Sequence, residues 1–141
     1  MSVADVAAVD AAVIAVLAGD ATLMALLPDG VYSDLAPAGK TRFVIVQHQT
    51  HHDEEGFRDP LFEEFRYAIT ARVLETTGAD ANAAALRIHE LLENTVLTVA
   101  GYTHSSTLRV ERHKATEVDA IDNDIRWQIA GGDYEIFVSP D

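Results

Sequence analysis

Residues 125–138 read IRWQIAGGDYEIFV, and the apolar phase of this stretch flips across Gly131-Gly132. Ile125, Trp127 and Ile129 are apolar at odd positions; Tyr134, Ile136 and Val138 are apolar at even ones. A two-residue Gly-Gly turn would pair Ile129 with Tyr134, Trp127 with Ile136 and Ile125 with Val138, placing all six on one face. A β-bulge at the glycines shifts the phase as well, so the hairpin is the favoured of two readings. Either way the stretch predicts an antiparallel sheet near residue 138, with no phosphate loop. Such a loop leads from a strand into a helix, whereas here a strand pattern follows the glycines.

Working back from that sheet, Leu108 and Val110 alternate with Arg109 and Glu111 in a strand from about Ser106 to Lys114, and an acidic loop from Glu117 to Asp124 separates it from residue 125. Phe65, Tyr67, Ile69, Ala71 and Val73 alternate with Glu64, Arg66, Ala68, Thr70 and Arg72, which predicts one core face and one wet face. Phe43-Val44-Ile45-Val46 is a continuous apolar run, expected to be buried on both faces. A polar interstrand loop from Thr50 to Pro60 follows it.

Three helices complete the pattern. The first carries Val6, Val9, Val13, Ile14 and Leu17, with Ser2 and Asp5 resembling a capping box and Gly19 ending it. Asp20 caps a short second helix bearing Leu23, Met24, Leu26 and Leu27, which Pro28 and Gly30 stop; a short strand is expected at Val31-Tyr32. Asp80 is expected to cap a third, with a stripe through Ala81, Ala84, Ala85, Ile88, Leu91, Leu92 and Thr95, broken at Ala100-Gly101. Strands in consecutive runs with helices grouped beside them predict a single α+β domain over residues 1–141, with a mainly antiparallel β-sheet, helices packed on it and a C-terminal β-hairpin.

Composition limits the function. The 141 residues suffice to bury roughly 68% of the unfolded surface. No stretch approaches the ~20 apolar residues of a membrane span. No basic residue precedes Lys40, so no secretory signal is expected and synthesis is placed in the cytoplasm. Cysteine is absent, which removes disulfides, thiolate metal sites and cysteine nucleophiles. Ten Lys and Arg face 23 Asp and Glu, a net charge of −13, which argues against tight binding to nucleic acid or to an anionic membrane.

Candidate chemistry is sparse. His51-His52-Asp53-Glu54-Glu55, with His48 before it, is the one run resembling a metal site, but adjacent histidines in a loop point apart, and a solvated loop is the expectation. His113 and Glu111, and Arg109 and Glu111, are expected to share strand faces as ordinary mixed-charge neighbours. His89 sits beside Glu90 and Glu93 on a helix, and His104 is placed in a turn. None converges with a serine or carboxylate in a recognisable catalytic spacing, so no enzyme, no cofactor and no metal are expected. Phe57, Leu61 and Phe62, in and beside a charged loop, suit either a protein contact or closure of the loop on itself.

The order of these segments resembles the tail completion or tail terminator proteins of long-tailed bacteriophages and prophages. The stretches that carry it are VAAVDAAVIAVLAGDATLMALLPDGVYSDLAPAGK, RFVIVQHQ, FEEFRYAITARVLE, ADANAAALRIHELLEN and DNDIRWQIAGGDYEIFV. The resemblance implies a non-catalytic structural protein that forms a homo-oligomeric ring, a hexamer, on the tail tube protein at the head-proximal end of the virion tail. It further implies docking of neck or head-completion proteins on that ring and passage of DNA through its lumen without specific binding. A closed ring needs two different patches on each subunit. One is expected on the loop from His51 to Phe62, with Phe57, Arg58, Leu61 and Phe62; the other on a mixed-charge strand face with Arg66, Arg72, Arg109 and Glu111. A neck or head-completion adaptor is the alternative of the same kind, and a small metal- or ligand-binding α+β domain using His48, His51, His52 and Asp53 is the alternative of another class.

Overall fold

The strands run longer than the apolar alternation alone suggests. The computed structural model describes residues 6–55, 60–119, 121–122 and 124–141. Its elements are α1 (Val6–Ala18), α2 (Ala21–Leu26), β1 (Val31–Ser33), β2 (Arg42–Glu55), β3 (Pro60–Leu74), α3 (Ala79–Asn94), β4 (Thr98–Val99), β5 (Tyr102–Val118) and β6 (Arg126–Pro140). They form one six-stranded sheet in the order β1-β2-β3-β6-β5-β4, curled into a half-barrel with the helices packed on one face. Every pairing is antiparallel except β1 with β2. This is the expected α+β fold.

The Gly131-Gly132 turn is not there. β6 runs through both glycines in unbroken register with β3, from Glu63↔Val138 to Leu74↔Trp127. The C-terminal hairpin exists, but it joins β5 to β6, and its turn is the acidic loop around Asp119 to Ile125. The phase flips because β6 changes the face it buries. Tyr134, Ile136 and Val138 join the core under the helices, whereas Trp127 and Ile129 point to the helix-free face. There Trp127 meets Phe43 edge-on at 5.7 Å, and Phe43 meets Tyr32 at 6.3 Å. The glycines are needed for close approach of the strands, not for turning. A Cβ on Gly131 would lie 2.0 Å from the Ile69 carbonyl oxygen, and one on Gly132 would lie 2.4 Å from that of Glu111.

The core follows the expected stripes. Val9, Ala12, Val13 and Leu17 of α1, Leu23 of α2 and Ala81, Ala84, Ile88 and Leu92 of α3 pack on Val44, Val46, Phe65, Tyr67, Ile69, Ala71 and Val73. Phe43 to Val46 are buried on both faces, as their unbroken apolar run requires. Asp20 caps α2, its carboxylate accepting from Leu23 N at 2.9 Å and from Arg87 of α3 at 2.7 and 2.8 Å. The Ser2–Asp5 box lies outside the described residues.

Three expectations at element ends are corrected. Asp80 sits in the first turn of α3 rather than at its cap, which is Gly78; the carboxylate is drawn instead to Arg42, which also bonds Leu26 O and Glu75. α3 stops at Asn94, not at Ala100-Gly101. The β-branched residues that follow form β4, and Gly101, at φ +78, closes a two-residue turn into β5. Residues 50–55 extend β2 instead of forming a loop, because the paired strand β3 begins ten residues further on and supplies a full ladder for them.

Candidate interaction surfaces

A mixed-charge row crosses the helix-free face of the sheet. Its centre is Asp133 of β6, a carboxylate only 5% exposed that must therefore be paired. Arg66 of β3 reaches its Oδ2 at 3.1 Å from one side, and His113 Nε2 of β5 lies 3.0 Å from its Oδ1 on the other. Arg66 also approaches Glu111 at 3.9 Å. The side chains staple three neighbouring strands across the row where the glycines bring the backbones together.

Of the residues expected to share a charged strand face, the structure brings Arg66, Arg72 and Glu111 to this side. It does not bring Arg109. A register shift between Arg109 and Glu111 pairs Arg109 with Tyr134 and Glu111 with Asp133, whose side chains are on opposite faces. The inserted residue turns Arg109 under α3, so Arg109 and Glu111 are not face-mates as the plain alternation implies. His113 and Glu111 do share a face. Phe57 and Arg58 lie outside the described residues. Leu61 and Phe62 belong to β3, and His51, His52 and Asp53 to β2, opposite Phe65, Glu64 and Glu63; their side chains lie outside the description.

On the helix side, the bulge opens a cleft of about 260 Å³ between α3 and β5. Arg109, Arg112 and Lys114 converge on it, with Asn82 and Ala85 of α3 opposite and Tyr134 at one end. None of the three cations has a carboxylate within ion-pair distance among the described residues, whereas Arg42, Arg66 and Arg87 are all paired. Sequence reasoning missed this cleft because only the bulge aligns Arg109 with Arg112 and Lys114.

At the far end of the same hairpin stands an acidic tip. Asp119 Oδ1 accepts from the backbone N–H groups of Ile121 and Asp122, at 2.8 and 2.9 Å, and those bonds hold its carboxyl below the usual range. The turn thrusts Ile121 into solvent at 98% exposure, between Asp119 and Asp122, with Glu117 and Asp124 beside them.

Three histidines bond or pack within the fold. His104 lies in β5 rather than in a turn; its Nδ1 accepts from Leu97 N at 3.1 Å, so Nε2 carries the proton it shares with Thr107 at 2.8 Å. It therefore cannot draw a proton from that hydroxyl, and burial lowers its basicity further. His48 packs on the rings of Phe65 and Tyr67. His89 stacks against Tyr134 and pairs with Glu93. Among the described residues one group, Glu111, His113 and Asp133, has ligand atoms close enough for a metal ion, all within 4.8 Å. Arg66 already delivers a positive charge to both carboxylates, so the set reads as an ion-pair cluster.

No family model matches the sequence, and no curated protein matches it. Among solved structures, the chain is similar to a chain in the virion of a native gene transfer agent particle, with a TM-score of 0.76 and 21% identity over 98% of this chain and 99% of that one. The likeness is one of fold and runs along nearly the whole length of both chains.

Proposed function

We propose that the chain is a structural subunit of a phage-type particle, a tail terminator that forms a ring on the head-proximal end of the tail tube and presents the surface on which the head docks. The observation that carries this reading is the end-to-end likeness to a chain of the gene transfer agent virion. The sequence resemblance to tail completion proteins narrows it to the tail. Two surface features support it. The subunit carries a basic cleft and an acidic tip at different places, which is the asymmetry that a closed ring of identical subunits requires. Its charge of −13 suits a wall past which DNA slides without adhering.

The chemistry of three histidines favours an assembly role over catalysis, since His104 is held by hydrogen bonds to Leu97 and Thr107 while His48 and His89 pack against aromatic rings. The test is assembly of tail tubes from purified tube protein with and without this chain. Tubes that stop growing and carry a ring of it at one tip, seen by electron microscopy, are the expected result. Binding to a portal or connector complex instead of the tube would replace this reading with that of a neck adaptor. Binding to neither would overturn both.

A further inference from the structure

We infer that the acidic β5–β6 tip of one subunit docks into the basic α3–β5 cleft of the next, so that this head-to-tail pair of surfaces is the contact that builds the ring. The inference rests on the ring reading and names its partner: a second copy of this chain. Three observations carry it.

The first is charge. In a chain with only ten Lys and Arg, three gather in one cleft with no carboxylate at ion-pair distance, among the described residues. The tip gathers Glu117, Asp119, Asp122 and Asp124 around an isoleucine held out by backbone bonds. Unpaired cations facing preordered anions are what a selective contact needs.

The second is reach. Tip and cleft are parts of the same hairpin, and Asp119 lies seven residues beyond Arg112 along β5, about 23 Å at a strand rise of about 3.3 Å per residue. Paired along its length to β6, that strand cannot bend back, so the tip cannot fill its own cleft. It can fill another's. The third is direction. Two unlike surfaces give a heterologous contact, which propagates and closes into a ring when its rotation allows.

Charge reversal tests this. Arg112→Glu with Lys114→Glu makes an acidic cleft; Glu117→Lys with Asp122→Lys and Asp124→Lys makes a basic tip. All five side chains are exposed, and Asp119 is left to hold the turn. Molar mass is read by light scattering behind gel filtration across a concentration series at low salt. The wild type is expected to grow above 15.3 kDa with concentration, each reversed protein alone to remain a monomer, and an equimolar mixture of the two to assemble again. In the mixture every acidic tip meets a basic cleft, or the converse. Circular dichroism melts of each variant confirm the fold.

If the wild type assembles and the reversed proteins assemble equally well, this contact is wrong while the ring reading stands. A wild type that stays monomeric at the highest soluble concentration overturns self-docking, and the tube experiment then judges the ring separately. If cleft reversal leaves assembly untouched but abolishes retention on duplex DNA, the cleft serves a polyanion and the inference fails.

Discussion

Replacing Gly131 by alanine or asparagine separates the continuous strand from a glycine turn, because the two arrangements predict opposite signs. In a two-residue type I′ turn, Asn-Gly is the preferred pair, so Gly131→Asn would be neutral or stabilising. In the strand, any Cβ at this position lies 2.0 Å from the Ile69 carbonyl oxygen and 2.7 Å from Thr70 Cα. Against an ordinary contact of about 3.5 Å, the backbone of β3 or β6 must yield by about 1.5 Å. The obstructing atoms are backbone held in a ladder on both sides, so no rotamer change relieves them. Overpacking of this kind costs about 3 kcal/mol or more, from a total of about 5–15 kcal/mol for a domain. At about 3 °C per kcal/mol for a chain of this length, the melting temperature should fall by about 10 °C for either substitution. Gly78→Ala is the control: its Cβ would make only ordinary contacts at 3.6 Å, and the loss of chain entropy in the unfolded state offsets alanine's poorer capping of α3, so stability should change by no more than about 0.5 kcal/mol. Thermal melts and urea titrations of the three variants suffice. A Gly131→Asn protein as stable as the wild type would refute the close approach of β3 and β6.

Asp20→Ala removes both the cap of α2 and the bidentate partner of Arg87, and should cost about 1–2 kcal/mol in urea unfolding. Because Arg87 first, and then the Leu23 N–H, hold the Asp20 carboxyl down to about 2, its stabilisation is full above pH 4 and drains away between pH 4 and 2; Asp20→Asn should flatten that part of the stability–pH curve, and an unchanged slope would count against the pair. Phe43→Ala opens the helix-free cluster around the sole tryptophan, with an expected loss of about 3 kcal/mol and a red shift of Trp127 emission; an unshifted spectrum would mean that the ring contact is absent. Adding zinc should leave the melting temperature of the wild type unchanged, since Arg66 already neutralises the Asp133 and Glu111 carboxylates; a rise of several degrees would overturn that assignment and return the histidine-rich β2 segment to consideration as a metal site.

The sequence by itself determined which residues are inside. The stripes of α1 and α3, the alternation of Phe65 to Val73 and the doubly apolar run Phe43–Val46 each report burial through a period that the backbone fixes, 3.6 residues in a helix and two in a strand. The Asp20 cap was legible for the same reason: its chemistry is confined to three residues. Periodicity reports which side of a strand is buried, but not what buries it. At Gly131-Gly132 the pattern change was real, yet its cause was β6 passing from one covered face of the sheet to the other, which depends on where Phe43 and the helices lie. The polar strand 50–55 was illegible because its support comes from β3, a partner distant in space until the chain folds. The charged surfaces were decided last of all. A single inserted residue near Val110 put Arg109 under α3 with Arg112 and Lys114 and left Glu111 with Arg66 and His113 on the other side. Such a bulge leaves no mark on the alternation of exposed residues, since no core penalty enforces their phase; only the ladder to β6, fixed by the packing of the whole sheet, sets which charges meet.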